Sequence, residues 1–121
     1  MNHYILGLLY RSVGDYNGAI AEFNEAIKID SNFTDAFYDI GATYYNWGVK
    51  MKKASQEKGD ESVEYKAKFE QALPWMEKVT QIKKDDARIW ETLGTIYALL
   101  GQADKATKAL DEADKLRKAG K

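Results

Sequence analysis

Apolar residues recur along this chain at helical spacing. Ile5, Leu8 and Leu9 form one set, and Ala19, Ile20, Phe23, Ala26 and Ile27 form another. Steps of three, four and seven put each set on one face of an α-helix. Turn-forming residues separate the sets. Gly14-Asp15-Tyr16 and Gly101-Gln102-Ala103-Asp104 read as a helix stop, a turn and a restart. Asp30-Ser31-Asn32 and Lys84-Asp85-Asp86 read as turns that cap the helix after them. The pattern predicts helices over residues 2–13, 16–29, 34–57, 62–82, 87–100 and 103–118, and therefore an all-α fold.

The pattern also repeats. Leu6-Gly7-x-x-Tyr10 is followed by Gly14, Tyr16, Ala19, Phe23 and Ala26. Phe37-x-x-Ile40-Gly41-x-x-Tyr44 is followed by Gly48, and Trp90-x-x-Leu93-Gly94-x-x-Tyr97 by Gly101, Ala106, Leu110 and Ala113. Gly7 lies 34 positions before Gly41, and Gly41 lies 53 before Gly94, one period and 19 residues more. Such a period marks stacked helical hairpins. The small residue sits where two helices approach closely, and the aromatic residue fills the gap beside it.

These residues resemble the tetratricopeptide repeat (TPR) pattern W-x2-L-G-x2-Y…A-x3-F…A over essentially the whole chain. The string Ala72-Leu73-Pro74-Trp75-Met76, after the insertion, is similar to a variant repeat of bacterial TPR proteins. The usual repeat-end proline is missing, with Ser31 and Lys84 in its place. The resemblance implies one domain, a right-handed superhelical stack of three helix-turn-helix hairpins with repeats at about 1–33, 34–86 and 87–121. The 19-residue insertion falls near 49–66 and is rich in Lys and Glu, with Gly59-Asp60 as its clear turn signal. Either both helices of hairpin two lengthen and project, with Val49, Ala54, Val63 and Ala67 zipping the arms together, or the insertion is a disordered loop. Pro74 cannot donate a backbone hydrogen bond, and its ring presses on the carbonyl of Glu70. A kink near 70–74, or a helix restarting at Pro74, is expected.

The resemblance also implies a site. The first helix of each hairpin lines a concave groove that holds a partner, often an extended peptide. Matching places are Tyr4, Leu8, Arg11 and Ser12 in hairpin one. Hairpin two gives Asp35, Tyr38, Asp39, Ala42, Tyr45 and Asn46, and hairpin three gives Arg88, Glu91, Thr92, Thr95, Ala98 and Leu99. Tyrosines suit such a role because each has a flat apolar body and a polar tip. TPR domains that grip the C-terminal carboxylate of chaperones use Lys, Asn and Arg at places that here hold Tyr4, Leu8, Asp39, Arg88 and Thr92. Only Arg88 fits, and Asp39 would repel a carboxylate. The function expected is therefore a protein-protein interaction module that holds a partner segment in the groove, with a scaffold that self-assembles through the stack ends or the projecting middle hairpin as the alternative.

Composition narrows the alternatives. The 121 residues are 45% hydrophobic and 31% charged, enough for a core in one domain. The net charge of -1 argues against a nucleic-acid partner. No apolar run approaches the ~20 residues that span a membrane, and no signal peptide opens the chain, so no membrane partner and a cytoplasmic location are expected. There is no cysteine and one histidine, so thiol chemistry and Cys-based zinc sites are excluded, and no second His or Cys is present to complete a metal site or a catalytic triad. His3 occupies a packing position. Asp60-Glu61, Asp85-Asp86 and Asp111-Glu112 read as caps or solvated charges, and Asp30–Asp35 lacks the glycine and late glutamate of a calcium loop. No phosphate-binding glycine motif occurs. Neither an enzyme nor a cofactor is expected. Lys50, Lys52, Lys53, Lys58, Lys66 and Lys68 form a basic cluster, offset by Glu57, Asp60, Glu61 and Glu64. It reads as a solvated tip or as a docking site for an acidic partner. Helix one begins without a capping residue of its own, and Ile5 and Leu9 would face nothing, so either the array continues or that edge pairs with another copy.

Overall fold

The computed structural model describes residues 2–120. They form six α-helices: α1 (His3–Ser12), α2 (Tyr16–Ile29), α3 (Thr34–Glu57), α4 (Tyr65–Ile82), α5 (Ala87–Leu99) and α6 (Ala103–Lys118). The helices pair in order into three hairpins, and the hairpins join through α2 against α3 and α4 against α5. The buried residues form serial interfaces, as expected of a solenoid in which each unit touches only its neighbours. Ala19, Phe23 and Ile40 close hairpin one onto two; Phe37, Val79 and Ile89 join two to three. The third and largest cluster runs from Phe69, Ala72 and Met76 to Leu93, Ile96, Tyr97, Ala106 and Ala109.

The repeated small residue has the expected cause. A Cβ at Gly7 would lie 2.5 Å from the Phe23 ring, and one at Gly48 would lie 2.7 Å from Phe69. Two hairpins thus lock by the same device, a phenyl ring laid on bare backbone. Helix starts are local chemistry. Asp15 accepts from Gly18 N at 2.9 Å and Asp86 from Arg88 N at 3.1 Å. Asn2 caps α1 by accepting from Ile5 N at 2.8 Å, so the first helix does have its cap. Asp30 bonds Asn32 N within its own turn, and α3 starts without a side-chain cap.

The insertion lengthens the hairpin unequally. α3 has 24 residues against 13 in α5, which adds about 16 Å at 1.5 Å per residue. α4 starts at Tyr65, three residues later than the pattern predicts. Local turns consume the difference. Asp60 accepts from Ser62 N, Ser62 Oγ accepts from Glu64 N, and the Ser55 hydroxyl reaches the carbonyls of Asp60 and Ser62. The expected zip of Val49, Ala54, Val63 and Ala67 does not form, since all four are exposed. The face set by Gly41 and Gly48 continues at sevens to Ser55, so Met51, Lys52 and Ser55 turn inward instead. Tyr65 meets Phe69 edge-on, and the Lys52 ammonium lies over the Tyr65 ring.

α4 does not restart at Pro74; it runs through it as one helix. Glu70 and Pro74 are both exposed, so water can take the hydrogen bond that the freed carbonyl loses.

Candidate functional site

The groove positions lie on α1, α3 and α5, but the helices do not present them equally. Asp39 is only 7% exposed and sits between α1 and α3. It accepts from Arg11 Nη1 at 3.0 Å and from the Tyr4 hydroxyl. Burial, then the Asp39 hydrogen bond and charge, push the Tyr4 phenol above its usual range. The Tyr4 ring also packs on Phe23 and Phe33. Three positions expected to meet a ligand therefore act as a brace between hairpins. A buried carboxylate needs its cation, and a neutral partner cannot supply one. Asp39 does not stand in the groove to repel a carboxylate, because its charge is matched inside the fold.

Tyr38, Ala42 and Tyr45 differ. At steps of four and three they form one stripe along α3, half-buried against the large cluster. The Tyr45 ring packs 5.9 Å from Phe69. Neither hydroxyl has a hydrogen-bond partner among the described residues. Leu99 is half-buried in the same cluster. Leu8 is half-buried against Phe23 and its neighbours, and Asn46 is exposed. Thr92 and Thr95 spend their hydroxyls on the carbonyls of Arg88 and Glu91 at 3.0 Å, as Ser12 does on Leu9 at 2.7 Å. Charges at the edges are paired: Asp35 with Lys83 at 3.3 Å, Glu91 with Arg117, and Arg88 with Asp86 at 3.7 Å. The structure thus brings together a neutral tyrosine stripe with unspent hydroxyls, flanked by charges matched within the chain.

One feature escaped the sequence. An open crease of about 450 Å³ lies between α4, α5 and α6, lined by Glu77, Gln81, Tyr97, Lys105, Lys108 and Glu112 among others. The Tyr97 hydroxyl donates to Glu77 at 2.5 Å, and burial together with that carboxylate raises the phenol above its usual range. Tyr97 matched a repeat position, but its polar partner sits across a hairpin boundary, where spacing along one helix says nothing. His3 bonds Glu22 at 2.6 Å and is half-exposed. Among the described residues no three His, Asp or Glu side chains gather as metal ligands. No described helix is long and apolar enough to cross a membrane.

Comparison with known proteins agrees with this architecture. A TPR repeat profile matches residues 7–48, and a tetratricopeptide repeat profile matches 87–119. No curated protein matches the chain. A crystal structure of MamA superposes with a TM-score of 0.77 at 23% identity, covering 98% of this chain and 58% of that one. A MamA chain from Desulfovibrio magneticus RS-1 superposes with a TM-score of 0.71 at 27% identity, covering 94% and 54%. The present chain therefore spans little more than half the length of the MamA chains it matches.

Proposed function

Because this chain belongs to the tetratricopeptide repeat family, a family of non-catalytic protein-interaction repeats, we propose that it is an interaction module that holds an extended segment of a partner along α3 and α5. The observation that carries this reading is the stripe of Tyr38, Ala42 and Tyr45, whose two hydroxyls have no partner among the described residues. Half-buried tyrosine offers contact area at little entropic cost, and a free hydroxyl can bond a peptide backbone. Asn46, Thr95 and Leu99 extend the surface, while Tyr4, Arg11 and Asp39 fix α3 against α1. The double variant Tyr38→Ala, Tyr45→Ala should lose partner capture by at least about thirtyfold, as loss of central aromatic anchors does. Pull-down with quantitative mass spectrometry against the native chain measures it, with circular dichroism confirming helicity. Full capture by a folded variant would place the partner elsewhere.

A second reading, a self-assembling scaffold, rests on a different observation. Ile5 and Leu9 are 45% and 49% exposed one turn apart on α1, and Val13, the residue that caps its C-terminal end, is 78% exposed. Aligning Ala19, Phe23 and Ala26 with Ala106, Leu110 and Ala113 puts Thr107 and Asp114 where α2 has Ile20 and Ile27. A head-to-tail contact would set polar against apolar, whereas a two-fold contact matches α1 with α1. Light scattering should then find a dimer that Ile5→Glu with Leu9→Glu converts to monomer. A monomeric native chain at high concentration rules this reading out.

A further inference from the structure

The projecting part of hairpin two rises past the α1–α2 turn and makes an inner corner with it. Tyr16, at the start of α2, stacks on Trp47 of α3 with ring centroids 5.6 Å apart, and Tyr44 stacks on Trp47 from one turn below. Two lysines rest on these rings. The Lys68 ammonium of α4 lies 3.7 Å from the Trp47 ring centroid, and that of Lys50 lies 5.8 Å from the Tyr16 ring. The Lys50 ammonium also stands over Gly14, whose left-handed backbone (φ +81°) turns the chain between α1 and α2. Neither ammonium has a carboxylate partner among the described residues. Glu64 is four residues before Lys68, the spacing that normally favours an ion pair on a helix, yet Glu64 precedes the first turn of α4 and Lys68 lies on the indole instead.

The charges of the projection are largely sorted. Lys50, Lys52, Lys53, Lys66 and Lys68 occupy its shaft, and Glu57, Asp60, Glu61 and Glu64 crowd its tip around a single lysine, Lys58. A lysine on a flexible stem normally loses much rotamer freedom when it binds. A ring face that seats the ammonium holds it in place without neutralising it. The corner therefore presents two pre-positioned positive charges beside aromatic surface and the exposed Val13.

We propose that this corner is a second interaction surface, separate from the tyrosine stripe, and that it holds an acidic peptide segment of a partner protein, with carboxylates on Lys50 and Lys68 and an apolar residue against Trp47 and Val13. The acidic tip selects the occupant. A nucleic-acid backbone continuing along the shaft would bring its phosphates against four carboxylates, while a peptide can carry two acidic residues at the corner and neutral ones beyond it.

The test is a fluorescence anisotropy titration of the full chain at low ionic strength. The probe is a fluorescein-labelled peptide in which Asp and Glu alternate with Leu and Ser. Saturable binding that weakens with salt is expected. Lys50→Glu with Lys68→Glu should weaken it at least about tenfold, and Lys50→Arg with Lys68→Arg should retain it. The remote pair Lys105→Glu with Lys108→Glu, and the stripe pair Tyr38→Ala with Tyr45→Ala, should leave it unchanged, so the result is read independently of the groove. Should the Glu variants lose helicity, Lys50→Gln with Lys68→Gln gives the same reading without charge reversal. Absence of saturable binding overturns the proposal, as does an equal loss from the remote lysines. Equally tight binding of a single-stranded oligonucleotide through Lys50 and Lys68 also overturns it, because the corner would then take anions of any kind.

Discussion

Phe69→Ala should cost this protein about 3–5 kcal/mol, the usual penalty for deleting a buried phenyl ring. Phe69 is fully buried at the base of the projection. Its ring fills the gap over Gly48 and meets Tyr45 and Tyr65, so one side chain ties the projecting arms to each other and to the stack. With native stabilities of about 5–15 kcal/mol, the loss would remove a large share of the total. Urea denaturation followed by circular dichroism measures it as a fall in midpoint. The partner half of the lock adds a second expectation. Gly48→Ala alone pushes a methyl group to 2.7 Å from the ring and should cost about 1–3 kcal/mol. In the Phe69→Ala background that cost should vanish, because the methyl then enters the space the ring has left. Additive losses would mean that ring and glycine do not form a lock.

Arg11→Met is the second large effect, at about 2–3 kcal/mol. Breaking a fully buried pair costs more than this, but the Arg11 side chain retains 26% of its exposure and Tyr4 still donates to Asp39. The loss comes from the carboxylate left behind, since the side chain of Asp39 is only 10% exposed. Asp39→Asn in the Arg11→Met background should therefore recover most of the stability, although it removes a second member of the brace. Thermal melts of the two single variants and the double variant decide the matter. Independent, additive losses would show that Asp39 does not need Arg11. Because the brace fixes α1 against α3, the helix that carries the tyrosine stripe, Arg11→Met should also weaken partner capture without touching the partner.

Much of the architecture was legible because it rests on short-range rules. The step of three and four located every helix, and Asp15 and Asp86 announced their caps, since such bonds span two or three residues. The recurrence of Gly7, Gly41 and Gly94 gave the hairpin count, and the surplus of 19 residues gave the elongated middle unit. What the sequence misassigned depended on which way a face turns. Val49, Ala54, Val63 and Ala67 are the apolar residues of the insertion, and apolar character suggested a zip. The register carried up from Gly41 and Gly48 turns Met51, Lys52 and Ser55 inward instead, and a serine and a lysine carry the contact through a hydroxyl and an ammonium on a ring. The late start of α4 has a local cause that the apolar pattern did not show: Asp60 and Ser62 accept from backbone N–H groups two residues on and so compete with the helix.

The candidate site divides along the same line. Helical spacing along α3 placed Tyr38, Ala42 and Tyr45 on one stripe. No spacing revealed that Asp39, one residue from Tyr38, is matched by Arg11 and Tyr4 from 28 and 35 residues away, or that Lys68 crosses to Trp47 in place of Glu64. The sequence by itself determined the helices, their number, their turns and the unequal middle hairpin, because bonds and periodicities within about seven residues decide those. The tertiary structure decided which charges are consumed and which are left to offer. That depends on distances between helices, and such distances exist only after the hairpins have stacked.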